Sequence, residues 1–234
     1  MKLQLLGNCT VLLTTKTTKI ILDPYFSNKG NLIYKRSKPV SQAYKNIETL
    51  DGILLSHEHF DHIDINFIKK FKDKCPLYAP TLSFIPLLLK RKPAKLGTTF
   101  EIKDISITVV QARHMVPTVG YIIQAEGKTI YFAGDTHYGA FMKDIASKFS
   151  IHIAILPITN YFPPMTMGKE GILKALNVLK PKYFIPMHKD IVQIFKSGDS
   201  TISKEELEML IKDSNLNTDL IYLENGETFD DIDN

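Results

Sequence analysis

The sequence predicts an α/β fold of two sheets packed face to face, with helices on the outer faces and two similar halves. Three observations predict it. Short apolar or alternating runs recur along all 234 residues, each ended by turn-forming or polar residues. Helical segments lie between them and are not gathered at one end. The order of strands first and helices after is met twice.

Taken in order, Lys2 to Leu6, Thr10 to Thr14 and Lys19 to Leu22 read as strands, the last stopped by Asp23-Pro24. Ser27 to Asn46 is polar and basic without a period, and is expected to be a long loop with a functional role. Ile53-Leu54-Leu55 reads as a buried strand, and Asp64 to Phe71 as a helix with Ile65, Ile68 and Phe71 on one face. Leu77 to Ala79 reads as a strand, and Thr81 to Leu89 as a core helix. In the second half, strands are expected at Thr99 to Lys103, Ile105 to Gln111, Val119 to Ala125 and Lys128 to Ala133, with Glu126-Gly127 as a hairpin turn. Phe141 to Phe149 and Lys169 to Leu179 read as helices, and Ile151 to Leu156 and Tyr183 to Pro186 as strands. Ser203 and Glu206 form a capping-box pattern for a last helix, and Leu220 to Leu223 is the final expected strand. Without a linker, low-complexity tract or charge shift, residues 1–234 are expected to form a single domain.

Composition narrows the function classes. Hydrophobic content of 44% supplies a sizeable core. The net charge of +4 is mild, and without a long run of like charges no nucleic-acid partner is expected. Cys9 and Cys75 are too few for a disulfide framework and read as reduced thiols of a cytoplasmic protein. The N-terminus does not read as a signal peptide. No apolar run reaches the roughly 18 residues of a membrane span. A homo-oligomer is left open.

The run His57-Glu58-His59-Phe60-Asp61-His62 carries the chemistry. Three imidazoles and a carboxylate on one short loop at a strand end are ligand types suited to zinc and similar divalent ions. Three more donors follow later strands: His114, Asp135 and His188. Alone, each would read as a structural or turn residue. Together they make seven candidate ligands, His57, His59, Asp61, His62, His114, Asp135 and His188, enough for two ions that share one carboxylate. On an irregular turn, His57 and His59 can serve one ion while Asp61 and His62 serve another, roughly 3.5–4 Å away. Asp135 is the natural bridge. Glu58 and Phe60 are expected to face away, His152 to sit in the core, and His137 to be a weaker candidate for lining the site.

These residues resemble the metallo-β-lactamase-fold hydrolases. The matching motifs are Ser56-His57-Glu58-His59-Phe60-Asp61-His62, His114, Ala133-Gly134-Asp135-Thr136 and Pro186-Met187-His188, supported by Leu22-Asp23-Pro24 and Leu156-Pro157-Ile158. The resemblance implies a four-layer αβ/βα sandwich with a dinuclear site at one edge. It places one metal on His57, His59 and His114, the other on Asp61, His62 and His188, and Asp135 between them. Lys180 to His188 and the overall length look like the UlaG-like and UPF0173 metal-dependent hydrolases. Ser56 to Asp64, with Gly134 to Tyr138, look like the N-acylphosphatidylethanolamine phospholipase D-like branch. Both branches usually carry Gly-His-Ser or Gly-His-Ala near the N-terminus, where this chain has Gly7-Asn8-Cys9. Asn8 is not expected to be a ligand.

The expected activity is hydrolysis of an ester-type bond, a phosphodiester or a lactone, in a small metabolite or lipid head group. Two divalent ions are expected, zinc first, with manganese or iron as alternatives. A water bridging them loses its proton near pH 7 and attacks as hydroxide, while Asp61 orients it and receives its proton. Asp61 and Asp135 are therefore the expected catalytic carboxylates. The segments 27–46, with Tyr25, Tyr34, Lys35 and Arg36, and 160–167, with Tyr161 and Phe162, are expected to shape the pocket for an anionic, partly apolar substrate. Lys35 and Arg36 read equally well as solvated surface. The rival class is a di-iron redox or other non-hydrolytic metal protein on the same fold.

Overall fold

Alternation along each strand decides which sheet face a side chain covers. In the computed structural model, which describes residues 1–28, 34–82, 89–161, 164–194 and 201–230, two seven-stranded sheets follow from it. The first contains β1 (Lys2–Gly7), β2 (Thr10–Thr14), β3 (Lys19–Leu22), β5 (Gly52–Leu54), β6 (Leu77–Pro80), β7 (Lys92–Ala94) and β16 (Thr228–Asp230). Its order is β16-β1-β2-β3-β5-β6-β7. The second contains β8 (Thr99–Ile102), β9 (Ile105–Gln111), β10 (Val119–Ala125), β11 (Lys128–Phe132), β12 (Ile153–Pro157), β13 (Tyr183–Met187) and β15 (Asp219–Leu220). Its order is β15-β13-β12-β11-β10-β9-β8. Each sheet joins an antiparallel meander to a parallel half. Pairing is antiparallel from β16 to β3 and parallel from β3 to β7. It is likewise antiparallel from β8 to β11 and parallel from β11 to β15.

The inner faces meet in one apolar layer. Leu3, Leu5, Val11, Leu13, Ile20, Leu22 and Leu54 face Ile105, Ile107, Val109, Tyr121, Ile123, Ile130, Phe132, Ile153 and Ile185. The alternate residues turn outward. Leu6, Leu12, Ile21 and Ile53 pack with α1 (Ile65–Lys69) through Phe67 and Ile68. Ile122, Tyr131, Ala154, Leu156 and Phe184 pack with α2 (Phe141–Lys148), α3 (Lys169–Leu179) and α4 (Lys204–Asp213). The result is the expected four-layer αβ/βα sandwich. The period of α3 is visible in its buried set, Ile172, Ala175, Leu176 and Leu179. It ends at Lys180 in the left-handed region (φ 46°), before Pro181. The capping box of α4 forms in both directions between Ser203 and Glu206.

Several boundaries differ from expectation. The segment expected as one long loop contains β4 (Tyr34–Arg36), which pairs with β14 (Ile191–Gln193), and a 3₁₀ turn at Gln42–Asn46. The edge strands β7 and β16 carry no apolar alternation, so pattern reading passes over them. The last expected strand shrinks to Asp219–Leu220. Of the expected core helix at 81–89, residues 83–88 lie outside the described residues. His152 is not a core residue: it is half-exposed, just ahead of β12, with its ring edge-on to Tyr183 at 5.4 Å.

Candidate metal centre

The parallel strands β3, β5, β11 and β13 end at a common rim, and the turn after β1 and the loop after β9 reach it too. Loops at the carboxyl ends of strands are where α/β sheets place their ligands. All seven sequence-predicted residues meet there. Asp135 lies at the middle: its Oδ2 is 3.9 Å from His57 Nε2, 3.9 Å from His114 Nε2 and 3.1 Å from His188 Nε2, and its Oδ1 is 3.5 Å from His62 Nε2. Asp61 Oδ2 lies 3.1 Å from His188 Nε2 and 3.9 Å from His62 Nε2. His59 Nδ1 and His114 Nε2 are 3.0 Å apart. His57, His59, His114 and Asp135 form one group whose donor atoms lie within 4.8 Å of each other. Cys9, His62, Asp135 and His188 form another.

Local backbone geometry permits this crowding. Gly134 has φ 58°, and a Cβ there would stand 2.5 Å from Ser56 Cβ. Only glycine lets the loop after β11 pass so close to the loop after β5. His188 itself adopts φ 59°, held by its N–H donating to Asn8 O at 3.0 Å and by Thr159 Oγ1 donating to its carbonyl.

A layer behind the donors orients them. The fully buried Asp23 accepts from Ser56 N at 2.7 Å, from Ser56 Oγ at 2.6 Å and from His62 Nδ1 at 2.8 Å. His57 Nδ1 is 2.9 Å from Ser56 Oγ. His114 Nδ1 donates to Met165 O at 2.8 Å. His188 Nδ1 lies 3.3 Å from the Tyr161 hydroxyl, which donates to Ile191 O at 2.7 Å. Asn8 Nδ2 donates to Asp61 Oδ2 at 3.2 Å, and Asn8 N donates to Asp190 Oδ2 at 2.8 Å. Such outer partners fix tautomers so that lone pairs face the ion. Tyr161 lies in the pocket wall as expected, whereas Asp23, Asn8, Cys9 and Asp190 are parts of the site that the sequence reading does not assign. For Asp23 the signal existed, because it too directly follows a buried strand.

The electrostatics suit a bound cation. Burial holds His57 well below its ordinary value and His59 below it, and brings His114 down to about 4 despite Asp135. These three imidazoles therefore stay neutral. Burial also acts against charge on His62 and His188, but the surrounding Asp135, Asp61 and Cys9 outweigh it and push both well above the ordinary histidine range. Burial opposes ionisation of Asp135 as well, yet His188 and His62 hold its carboxyl well below normal. His57 Nε2 and Asp135 Oδ1 are buried without a hydrogen-bond partner. Buried polar atoms left without a partner call for an ion or water to satisfy them. The donor set, imidazole and carboxylate, fits zinc-type ions.

Over the donors opens a cavity of about 250 Å³ lined by Tyr34, His59, Phe60, Asp61, Asp135, Tyr161, Met165, His188 and Ile191. Phe60 thus lines the cavity and does not face away: its ring meets Tyr25 edge-on at 6.2 Å and lies 6.0 Å from Tyr34. Arg36 is neither pocket cation nor solvated surface. Its guanidinium is buried over the Tyr25 ring at 4.9 Å, with NH1 3.7 Å from Asp190 Oδ2. Lys35 is exposed. His137 lines neither the cavity nor either donor group; its N–H donates to Arg113 O beside His114. Glu58 is half-buried and belongs to neither donor group. Phe162 lies outside the described residues. A larger polar hollow of about 610 Å³ sits by Lys180, Lys182 and His152, at the opposite strand ends, away from the donors.

Fold and site together define a metal-dependent hydrolase of the metallo-β-lactamase superfamily. The Beta-lactamase superfamily domain model matches residues 18–189. A UPF0173 metal-dependent hydrolase of Myxococcus xanthus is 34% identical over 205 residues, covering 80% of this chain and 69% of its own. One from Natranaerobius thermophilus is 29% identical, covering 98% and 99%. The chain belongs to the UPF0173 metal-dependent hydrolase family of that superfamily. Among solved structures, Igni18, a metallo hydrolase from Ignicoccus hospitalis, superposes with a TM-score of 0.78 at 23% identity, covering 98% of each chain. Among the described residues no helix is long and apolar enough to cross a membrane.

Proposed function

We propose that residues 1–234 form one dinuclear hydrolase domain that cleaves a phosphodiester or lactone in a small metabolite or lipid head group. The observation that carries this reading is the single carboxylate, Asp135, within 3.9 Å of four imidazoles from two donor groups. His57, His59 and His114 would hold one ion, and Asp61, His62 and His188 the other, with Asp135 shared. Bound there, divalent ions supply Lewis acidity and lower the pKa of water. Asp61, in the cavity wall with Oδ2 held by Asn8, takes up the proton given by the attacking water. Tyr34, Phe60, Tyr161, Met165 and Ile191 bind the apolar part of the substrate and exclude solvent water. A cavity of about 250 Å³ suits a small molecule. With Arg36 paired to Asp190 and Lys35 outside, the cavity lining contains no lysine or arginine among the described residues. An anionic group would therefore be met by the ions and not by the 34–36 segment.

The test is a screen of metal-loaded protein against bis-p-nitrophenyl phosphate, lactones and N-acyl phospholipids, with metal counted per chain. His59→Ala should remove one ion and abolish turnover, whereas His152→Ala should leave both unchanged. Equal metal loss in the two variants contradicts the ligand assignment.

A further inference from the structure

We propose that Cys9 is a metal ligand, its thiolate completing the site formed by His62, Asp135 and His188. The inference rests on the two-ion reading above and adds a donor of a different chemical kind. Cys9 is fully buried in the turn between β1 and β2, where Asn8 takes a left-handed conformation (φ 45°). That turn swings the sulfur to the rim. Cys9 Sγ lies 3.5 Å from His62 Nε2. A tetrahedral zinc with ordinary Zn–S and Zn–N bonds would hold such a pair about 3.6 Å apart. Cys9 Sγ, His62 Nε2, a carboxylate oxygen of Asp135 and His188 Nε2 all lie within 4.8 Å of one another.

The hydrogen-bond network turns each of these groups inward as an acceptor. His62 Nδ1 is engaged by Asp23, so a neutral His62 presents the Nε2 lone pair to the sulfur. The Tyr161 hydroxyl donates its own hydrogen to Ile191 O and so accepts from His188 Nδ1, which leaves Nε2 as a second inward lone pair. Asp135 Oδ1, buried and without a hydrogen-bond partner, points to the same space, 3.5 Å from His62 Nε2. Two nitrogens, an orphaned carboxylate oxygen and a sulfur thus converge on one space that protons fill in the absence of an ion and that a cation can take in their place. Coordination exchanges the Cys9 S–H proton and the Nε2 protons of His62 and His188 for bonds to the metal, the protons leave to solvent, and no electron is transferred. A soft thiolate beside imidazoles selects zinc over manganese or magnesium, which prefer oxygen. Asp61 is complementary: Asn8 Nδ2 already occupies its Oδ2, and it remains the carboxylate that faces the cavity.

Cobalt(II) tests this without reference to turnover. Full-length protein loaded with two equivalents of Co²⁺ should show a sulfur-to-metal charge-transfer band in the near ultraviolet. The band should be lost in Cys9→Ser and kept in Cys75→Ser, with Co²⁺ still bound at His57, His59 and His114. Because Cys9 is buried and its variants can fail to fold, the wild-type zinc protein gives an independent reading by X-ray absorption: one sulfur at about 2.3 Å. Two ions bound with only nitrogen and oxygen neighbours, or a band that survives Cys9→Ser, overturns the assignment of Cys9 alone. A chain that binds no Co²⁺ at all removes the two-ion reading with it.

Discussion

Replacing Asp23 by asparagine changes one oxygen to an amide nitrogen and leaves the volume of a fully buried side chain almost intact. The aspartate accepts three hydrogen bonds, two from Ser56 and one from His62 Nδ1, all between 2.6 and 2.8 Å. Asparagine can keep the bond from Ser56 N through its oxygen. Its NH₂ then faces the Ser56 hydroxyl, which can rotate to accept, and His62 Nδ1–H, which cannot. The conflict is relieved by moving the imidazole proton to Nε2, where it points between Cys9 and Asp135 and blocks the ion. Loss of such an outer partner costs roughly 10–100-fold in metal affinity, or about 1.4–2.7 kcal/mol. Losing one charge-assisted bond in the interior also lowers folding stability by about 1.5–3 kcal/mol. The assay is competition against a chelator of graded strength, with ions counted per chain, beside urea unfolding of the metal-free protein. The ion at His57, His59 and His114 should be affected much less. A variant that loses stability yet binds both ions with wild-type affinity refutes the reasoning and reduces Asp23 to a strand-end brace.

Gly134→Ala forces a side chain at φ 58° into Ser56, and should cost roughly 2–5 kcal/mol in urea unfolding; an unchanged midpoint contradicts the close approach of the two loops. Burial brings Lys189 down to about 8 from 10.5. Between those values the unfolded chain binds more protons than the folded one, so stability should rise with pH across that window and be flat in Lys189 below it; Lys189→Met should remove the rise. Loading with zinc at 100 times its dissociation constant should stabilise the chain by about 2.7 kcal/mol for each site, read as a higher thermal midpoint that chelation reverses; no shift means that the sites do not hold ions in the folded state.

The donors were legible because their signal is local and chemical. His57 to His62 announce themselves by density, and His114, Asp135 and His188 by following apolar runs. The inner-face residues of β9 to β13 were legible because alternation and continuous apolar runs are what a buried sheet requires. What the sequence concealed depends on distance along the chain. Asn8 and Asp190 are 182 positions apart and meet by a hydrogen bond. Arg36 reads equally as pocket cation or as surface until Tyr25 and Asp190 close over it. Cys9 looks like a core thiol, because nothing near it in sequence shows that His62 is 3.5 Å away. Phe60 misled for another reason: on an irregular loop, adjacency to ligands does not set which way a ring points.

The two-stranded ribbon of β4 and β14 ties Tyr34, in the cavity wall, to the stretch immediately beyond His188 through the pairs Tyr34↔Gln193 and Arg36↔Ile191. Residues 34–36 are consequently not an interchangeable cassette. A graft that loses its pairing with 191–193 would tug on His188 and retune the ion before any new ligand arrived. On the proposed reading, substrate range and metal affinity would be inherited as one trait, and a change of specificity at this wall would have to be drawn from sequences that keep the ribbon's backbone.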